Sequence, residues 1–400
     1  MHPIMKPALR RGWRDLNTVQ FGMTPAHAMV LGPMDTATGS FLELLDGTRG
    51  LPLLREQARA MGLPDGHVDG LVDRLAGSGL LDDTTGGGPA ADALRDKQGV
   101  MDRLRPDLAS LSLVAREPGA AVGRLAARRR LRVRVLGAGR VGVVLAALLA
   151  GAGVGEVEVR DLGRVEPWDV APGGLPVESI GERREDAARR AVRRAAPDRP
   201  PRTVAGGGEG RGEGEEARGL SLVILAPRDG LAVHAPDPAS AEGLIVSGTP
   251  HLYAGVVEAT GVVGPLVLPG DTGCAGCLDL RRTDADPVWP RLVAQWRSGR
   301  QRRVAACDLA LAAAVAGLAA SHALAFLDGD PPSCAGTRWE TSLPGCAWRA
   351  KPVEAHPACS CGTAKRTIGE RTPEDGEAHE TMAGRQPHAA QLAGIWRAHV

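Results

Sequence analysis

The chain has 400 residues, a formal net charge of +1 and only 3% aromatic residues. This length allows two or three domains with a substantial core, and near-neutral charge with few stacking side chains argues against a nucleic-acid partner. Residues 1–11 lack the apolar core of a signal peptide, and the most apolar segment, 305–327, carries Asp308, Ser321 and His322. We therefore expect a cytoplasmic protein with no membrane partner, in which 305–327 is a buried helix.

Residues 13–83 have the pattern of a small winged-helix module. Its predicted elements, in chain order, are a hairpin (18–22 and 27–31), a short helix (38–45), two helices with apolar residues at helical spacing (52–61 and 67–76) and a closing strand starting at 79–81.

The second helix of this helix-turn-helix carries Asp69 and Asp73 against Arg74, a charge pattern that phosphates would repel. Binding of an extended peptide along the edge of the hairpin 18–31 is the alternative to DNA binding. A purely structural role for residues 13–83 also stays open.

Residues 84–130 are predicted as a helical linker that begins with a flexible stretch at 84–89. The remaining segments outside the glycine-rich motif are a low-complexity insertion (206–219), strands (220–225, 244–246, 253–258, 262–268), a second strand pair (339–342 and 347–351) and a disordered tail (363–400) with a terminal helix near 389–399.

A nucleotide-binding type of fold is predicted to begin near residue 131. A strand at 133–136 runs into a turn with Gly137, Gly139 and Gly142, an aliphatic helix follows, and the next strand ends at Asp161. Glycines in such a turn let phosphates approach the backbone, and an acid about 20 residues later is placed to bind a ribose hydroxyl. The sequence thus predicts an α/β domain over 131–362 with a Rossmann-like sheet flanked by helices.

Four of the seven cysteines form two close pairs, Cys274 with Cys277 and Cys359 with Cys361. Thiolates converging from two loops are typical of a closed, structural zinc site, so we predict zinc held by these four residues. Thiols without metal are the alternative, and a redox role for the CxxC motif is disfavoured because no thioredoxin-like strand–helix junction surrounds it. Cys307, Cys334 and Cys346 are unassigned.

These motifs together resemble the ThiF-like relatives of ubiquitin-activating enzymes. The resemblance covers roughly 13–362 and rests on the run Val-Leu-Gly-Ala-Gly-Arg-Val-Gly, then Asp161 to Val165, Ile180-Gly181 and the two cysteine pairs. The segments 169–175, 264–270, 277–280 and 286–290, with His356-Pro357 before the second cysteine pair, look more narrowly like the ThiF-like partner proteins of peptide cyclodehydratases in thiazole/oxazole-modified microcin pathways. The resemblance implies a precursor leader peptide bound by an N-terminal winged helix, a separate cyclodehydratase as partner, and a homodimer as an open option.

The departures from the ThiF pattern concern its charged groups. The second Asp of that pattern falls at Gly163, its Asn at Asp169 and its Arg at Pro172, while its Lys aligns with Arg184 and its magnesium-binding Asp with Arg228. Adenylation needs fixed cations around the phosphates, so we expect no turnover. ATP binding, with Gly137, Gly139, Gly142, Asp161 and Arg184 as the contacting residues, stays open.

The arginines between 183 and 202 have two interpretations. They contact ATP phosphates or an acidic leader, or they line the solvated face of a helix, offset by Glu182, Glu185 and Asp186. The solvated face is the favoured interpretation for Arg183, Arg184, Arg189, Arg190, Arg193 and Arg194.

The sequence therefore favours a non-catalytic or weakly catalytic, leader-binding scaffold that presents a precursor peptide to a cyclodehydratase. An ATP-dependent adenylyltransferase that activates a carboxylate is the alternative. An NAD-dependent oxidoreductase is disfavoured, because no catalytic Tyr/Lys or His/Asp pair follows the glycine turn and Tyr253 is the only tyrosine.

Overall fold

The computed structural model describes residues 1–198, 219–298, 305–364 and 394–397. It divides into an N-terminal unit, residues 1–127 with 378–400, and a central unit, residues 128–377. The low-complexity insertion expected at 206–219 lies, except for Gly219, outside the described residues.

The N-terminal unit contains two small sheets and a helix-turn-helix. One sheet pairs β1 (Pro3–Met5) with β5 (Leu81–Asp83) in antiparallel fashion. The other has the strand order β13-β4-β3-β2, with β2 (Arg11–Trp13), β3 (Val19–Phe21), β4 (Met29–Gly32) and β13 (Gly394–Arg397) all antiparallel to their neighbours. The predicted hairpin is present as β3 and β4, whereas the closing strand β5 pairs with β1, which sequence reasoning did not identify.

Helices α1 (Thr36–Phe41), α2 (Leu51–Ala60) and α3 (His67–Gly77) pack on this unit. Asp35 caps α1 by accepting a hydrogen bond from the Thr38 amide at 2.7 Å. The helical periodicity of α3 explains its orientation, because the residues at one face are buried in a common core: Val68, Leu71, Val72 and Leu75.

Three helices follow in the expected helical linker. They are α4 (Gly88–Arg95), α5 (Gln98–Val114) and α6 (Ala120–Arg128). A separate apolar cluster joins them through Leu94, Leu104 and Leu125, all of which are buried. The segment is therefore a small three-helix layer with its own core.

The central unit is built on a seven-stranded mixed sheet of order β12-β11-β10-β9-β8-β6-β7. Strands β8, β6 and β7 are parallel, β9 is parallel to β8, and the pairs β9–β10, β10–β11 and β11–β12 are antiparallel. The strands are β6 (Arg132–Leu136), β7 (Glu156–Arg160), β8 (Leu222–Leu225), β9 (His251–Val257), β10 (Thr260–Val267), β11 (Thr337–Ser342) and β12 (Arg349–Pro352). This is the Rossmann-like mixed sheet that the glycine-rich motif predicts.

Helices cover the sheet and enclose its main core. They are α7 (Gly142–Gly151), α8 (Arg184–Ala195), α9 (Gly230–His234), α10 (Glu242–Val246), α11 (Ala275–Ala285), α12 (Trp289–Ser298) and α13 (Leu309–Leu327). Within the described residues, only α13 is long and apolar enough to cross a membrane. Its Leu311, Val315 and Ala319 are buried in the core formed with β6, β8 and β9. This packing is the one expected for the 305–327 segment.

A buried ion pair ties the beginning of the central unit to the end of α13. The Arg128 guanidinium donates to both carboxylate oxygens of Asp328, at 2.7 and 2.6 Å, and both side chains are at most 5% exposed. Arg128 also donates to the Ala152 carbonyl at 3.1 Å. Such a paired, hydrogen-bonded charge is tolerated in a core, whereas an unpaired one is not.

Two expectations about secondary structure are wrong. Residues 244–246, expected as a strand, belong to helix α10, because the preceding Asp237 caps a helical turn and the chain returns directly to β9. Residues 394–397, expected in a terminal helix, form strand β13, since they pair with the edge of β4. In both segments the contacts with neighbouring elements determine the secondary structure, and not the intrinsic propensity of the residues.

Candidate functional site

The carboxyl ends of three parallel strands meet at one edge of the central sheet. Leu136 of β6 pairs in register with Arg160 of β7 and with Leu225 of β8. The segments that leave these strands, which begin at Gly137, Asp161 and Ala226, therefore converge. Ligands bind to open α/β sheets at such an edge.

Packing requires two of the three glycines in the turn. A Cβ at Gly137, whose φ is +116°, would lie 2.0 Å from the Ala226 carbonyl oxygen, and one at Gly142 would lie 2.0 Å from the Gly137 oxygen. The second glycine differs, since a Cβ at Gly139 would meet the Arg228 side chain, with Cγ at 2.9 Å. Arg228 thus lies over the part of the turn that a phosphate would have to approach.

Asp161 is at the expected place, and both of its carboxylate oxygens are hydrogen-bonded within the protein. One accepts from the Ala138 amide of the glycine turn at 2.6 Å, and the other accepts from Arg184 Nε at 2.7 Å. The side chain is only 9% exposed. The acid that the motif assigns to ribose therefore fixes the turn to the first residue of α8.

Arg184, which makes this contact, is buried, so the prediction that it lies on a solvated helix face is wrong. Its guanidinium also donates to the carbonyls of Arg164, at 2.5 Å, and Leu162. Space for it comes from Gly163, where a Cβ would lie 2.7 Å from Arg184 Nη2. The glycine that replaces an acid of the ThiF pattern and the arginine that replaces its lysine therefore fit together.

The other arginines of α8 follow the solvated-face expectation. Arg189 and Arg190 are about half exposed and pair with acids on the surface, Glu185 and Asp186 for the first and Glu182 for the second. Arg193 and Arg194 are exposed.

Arg228 completes a charge network with two acids of the loop after β7. Its Nε and Nη2 both lie 2.8 Å from Asp169 Oδ1, and Nη2 also donates to Glu166. The hydrogen bond from Arg228 lowers the pKa of Glu166. Asp169 is 3% exposed, accepts from the Glu166 amide at 3.0 Å, and lies 3.6 Å from Arg184 Nη1.

We call Asp161, Glu166, Asp169, Arg184 and Arg228 the arginine–carboxylate network. Its three carboxylates and two guanidinium groups are partnered with one another at the carboxyl edge of the sheet. Asp229, next to the position of the magnesium-binding acid, caps α9 by accepting from the Leu231 amide at 3.0 Å. The acids that could hold a metal near a triphosphate are thus already engaged.

Sequence reasoning missed Glu166, and it noted Asp169 and Arg228 only as departures. A local signal for the first two existed: Glu166-Pro167-Trp168-Asp169 has an acid before a proline and another acid three residues on, and it forms a reciprocal capping box. No local pattern links these acids to Arg228, about 60 positions further along the chain.

The four predicted cysteines converge at a second site in the central unit. Their sulfurs all lie within 4.8 Å of one another, with separations of 3.8 Å for Cys274–Cys277, 3.6 Å for Cys274–Cys359 and 3.6 Å for Cys277–Cys361. Tetrahedral ligands about 2.3 Å from a zinc ion would be about 3.8 Å apart. The cluster can therefore bind a metal ion, and its sulfurs are too far apart for disulfides.

The residues around the cysteines position their sulfur atoms. Cys274 stands at the N-cap of α11 and Cys277 lies in its first turn, while a Cβ at Gly276 would meet Cys359 Sγ at 3.0 Å. A hydrogen bond from the Cys274 thiol lowers the pKa of Cys277. His356 pairs with Asp284 at 2.8 Å. Its side chain is therefore engaged with a carboxylate at the rim of the site.

The unassigned cysteines lie outside the cluster. Cys334 is buried in the main core, Cys346 is exposed, and the Cys307 carbonyl accepts from Arg140 at 2.7 Å. Their positions indicate no shared chemistry.

Comparison with known proteins agrees with this architecture. The ThiF family profile matches residues 116–363, and no curated protein matches the chain in sequence. The fold is similar to that of E. coli MccB solved with MccA-N7isoASN (TM-score 0.63, 13% identity, 90% of this chain and 99% of that one). It is also similar to E. coli MccB solved with ATP (0.62, 14%, 90% and 99%) and to selenomethionine PaaA (0.61, 17%, 86% and 98%).

A glycine-rich turn at the carboxyl edge of a mixed parallel sheet defines a nucleotide-fold protein of the Rossmann-like class. More particularly, since the profile spans more than half of its length, the chain belongs to the ThiF family.

Proposed function

We propose that this protein is a non-catalytic ThiF-family scaffold that binds the leader of a ribosomally made precursor peptide. In this role it presents the precursor to a separate cyclodehydratase in the cytoplasm. That enzyme would close thiazoline or oxazoline rings, the reduced precursors of thiazoles and oxazoles, each by attack of a Cys, Ser or Thr side chain on the carbonyl carbon of the preceding amide with loss of one water. The observation that carries the proposal is the arginine–carboxylate network over the glycine turn.

The network argues against adenylation on energetic grounds. A triphosphate with magnesium needs free cations and a free acid, whereas Arg184 and Arg228 are each bound to carboxylates and Asp229 caps a helix. Phosphates approaching Gly139 would have to displace the Arg228 side chain and separate it from Asp169, which is almost fully buried. Breaking a buried charge pair costs about 3–5 kcal/mol, which would weaken nucleotide binding correspondingly.

Peptide recognition is supported by the N-terminal unit. It has the winged-helix order of a three-stranded meander, β2 to β4, followed by helices α1 to α3. Extended peptides bind to sheets of this kind by adding a strand. E. coli MccB, whose fold extends over 90% of this chain, has been solved with selenomethionine MccA and with N-formylated MccA. Selenomethionine and an N-formyl group are features of a polypeptide, which agrees with a peptide as the ligand of this chain too.

The second candidate is an ATP-dependent adenylyltransferase that activates a peptide carboxylate. It is favoured by the retained glycine turn and by the fold similarity to E. coli MccB, which has been solved with ATP. In that case Gly137, Gly139, Gly142, Asp161 and Arg184 would contact the nucleotide, and the network would have to open.

We propose zinc as the metal of the four-cysteine cluster. Thiolates prefer soft or borderline metals, and the sulfur separations of 3.6–3.8 Å fit a tetrahedral zinc ion. All four ligands would come from the protein, which would leave the ion no open position for water. It would join the turn at 274–277 to the segment at 359–361 and so stabilise the central unit without taking part in chemistry.

The leader proposal is tested by fluorescence anisotropy with a labelled leader from a short Cys-, Ser- and Thr-rich peptide encoded beside this gene. We expect saturable binding to the full chain and none to a chain that lacks residues 1–83. Circular dichroism and a thermal melt of the shortened chain control for folding of the central unit. Equal affinity of the two chains would refute leader recognition by the N-terminal unit.

A further inference from the structure

We propose that the chain's own C-terminal strand β13 acts as an internal competitor of an extended peptide at the edge of β4. The inference rests on the proposed leader-binding function, because the leader and β13 would pair with the same edge of the sheet. It adds a control element, since an incoming peptide would have to displace β13.

The strand order carries the inference. The meander β2-β3-β4 is contiguous in sequence, and the fourth strand comes from residues 394–397 at the other end of the chain. β13 pairs antiparallel with β4 in continuous register, from Gly394 opposite Gly32 to Arg397 opposite Met29. A segment distant in sequence thus adds to this edge by backbone pairing, which is the way an extended peptide ligand would bind.

The geometry of β4 explains why its edge accepts a strand. Its other side is filled by β3, with Val19 opposite Leu31 and Phe21 opposite Met29. Without β13, the outer N–H and C=O groups of β4 would face no strand, and such an edge is a template for pairing with another segment. Leu31 and Gly32 are buried, so the edge has a fixed apolar floor beneath it.

The short length of β13 makes it displaceable. Four paired residues supply only a few hydrogen bonds, each with a net contribution of about 0.5–1.5 kcal/mol. Tethering raises the local concentration of such a weak strand to about the millimolar range, enough for it to occupy the edge in the absence of a ligand. A longer peptide that pairs with the same edge would compete with it.

Occupancy by β13 would lower the apparent affinity of the edge for any external peptide. The apparent dissociation constant rises by the inverse of the fraction of molecules with an open edge. If about one molecule in ten is open, removing β13 tightens binding about tenfold. The tail would then set the peptide concentration at which the protein responds.

Hydrogen–deuterium exchange of residues 29–32 tests the pairing in the protein itself. The full chain is compared with a chain ending at residue 377 and with the full-length variant Ile395→Pro/Trp396→Pro. Adjacent N–H groups of a strand point in opposite directions, so two consecutive prolines remove at least one bond to β4. The control Ala389→Pro/Ala390→Pro has the same substitutions outside the strand.

We expect exchange at 29–32 to be faster in the shortened chain and in the strand variant, and unchanged in the control. Equal exchange in all four proteins would overturn the inference. Exchange in β3 at 19–21 reports whether the sheet itself remains folded, because a general loss of structure would accelerate both strands.

A labelled synthetic peptide of residues 389–400 then tests the edge as a binding surface. It should bind the chain ending at 377 about tenfold or more tightly than the full chain, and the peptide with prolines at 395 and 396 should not bind. No saturable binding to the shortened chain would overturn the inference.

Competition by the precursor leader separates the two proposals. A leader that displaces the tail peptide supports both. Tail binding that the leader does not affect supports the internal strand but removes the leader as its competitor. A leader that binds equally with and without β13 supports the proposed function and overturns the inference.

Discussion

Asp169→Ala should destabilise the central unit, because it removes the buried carboxylate on which both arginines of the network converge. Asp169 is 3% exposed, with Arg228 Nε at 2.8 Å and Arg184 Nη1 at 3.6 Å. Removing one partner of a buried charge pair costs about 3–5 kcal/mol. Arg228 and Arg184 each keep a second acid, Glu166 and Asp161, so we expect the lower limit of about 3 kcal/mol.

Glu166→Ala is the matched control, since Glu166 binds the same Arg228 from a side chain that is 41% exposed. Solvent screens this pair, and its loss should cost less than about 1 kcal/mol. The assay is urea denaturation followed by tryptophan fluorescence, with the free energy of unfolding taken from the midpoint and slope. Equal destabilisation by the two substitutions, or less than about 1 kcal/mol for Asp169→Ala, would show that the network is not a buried, closed unit.

Three further predictions concern the remainder of the central unit. Asp328→Ala leaves the buried Arg128 guanidinium without its carboxylate and should lower the free energy of unfolding by about 3–5 kcal/mol in the same assay. The control Arg189→Ala, on the surface of α8, should lower it by about 0.5 kcal/mol. Similar losses in the two variants would contradict the buried pair. Mass spectrometry of the native protein should find one zinc per chain, lost in Cys277→Ser, and fully folded metal-free wild type would refute the zinc site. Burial lowers the pKa of His251 to about 4, so the unfolded chain takes up a proton below about pH 6.5 that the folded chain refuses until about pH 4. The free energy of unfolding should therefore decrease by about 1.4 kcal/mol for each pH unit as the pH is lowered from about 6.5 to about 4. His251→Gln should reduce this pH dependence, and an unchanged pH dependence would exclude His251 as its source.

The parts of the fold that follow from local pattern could be predicted from the sequence. Alternating burial along β6, with Val133 and Val135 in the core, and the glycine turn after it identify the nucleotide-type sheet. The two cysteine pairs predict that the four sulfurs lie close together, because two close pairs on separate loops are typical of one four-thiolate metal site. Both features depend on residues that are close in sequence or on chemistry that one residue type dictates.

The arginine–carboxylate network could not be predicted, because it depends on contacts between residues that are distant in sequence. Alignment to the ThiF pattern shows that charged groups have changed, but not that Arg184 fills the space over Gly163 or that Arg228 lies on Gly139. Strand β13 was not predicted for a similar reason. Its four residues gain their extended structure from the edge of β4 and not from their own periodicity.

The central claim is that the nucleotide fold is retained while the charged groups of its pocket are bound to one another, which leaves peptide recognition as the task. ATP–pyrophosphate exchange, measured on the full chain with the precursor peptide present, tests it most directly. We predict exchange at the background level, identical in the wild type and in Asp161→Ala. Robust exchange by the wild type that Asp161→Ala abolishes would contradict this claim and establish an adenylating enzyme.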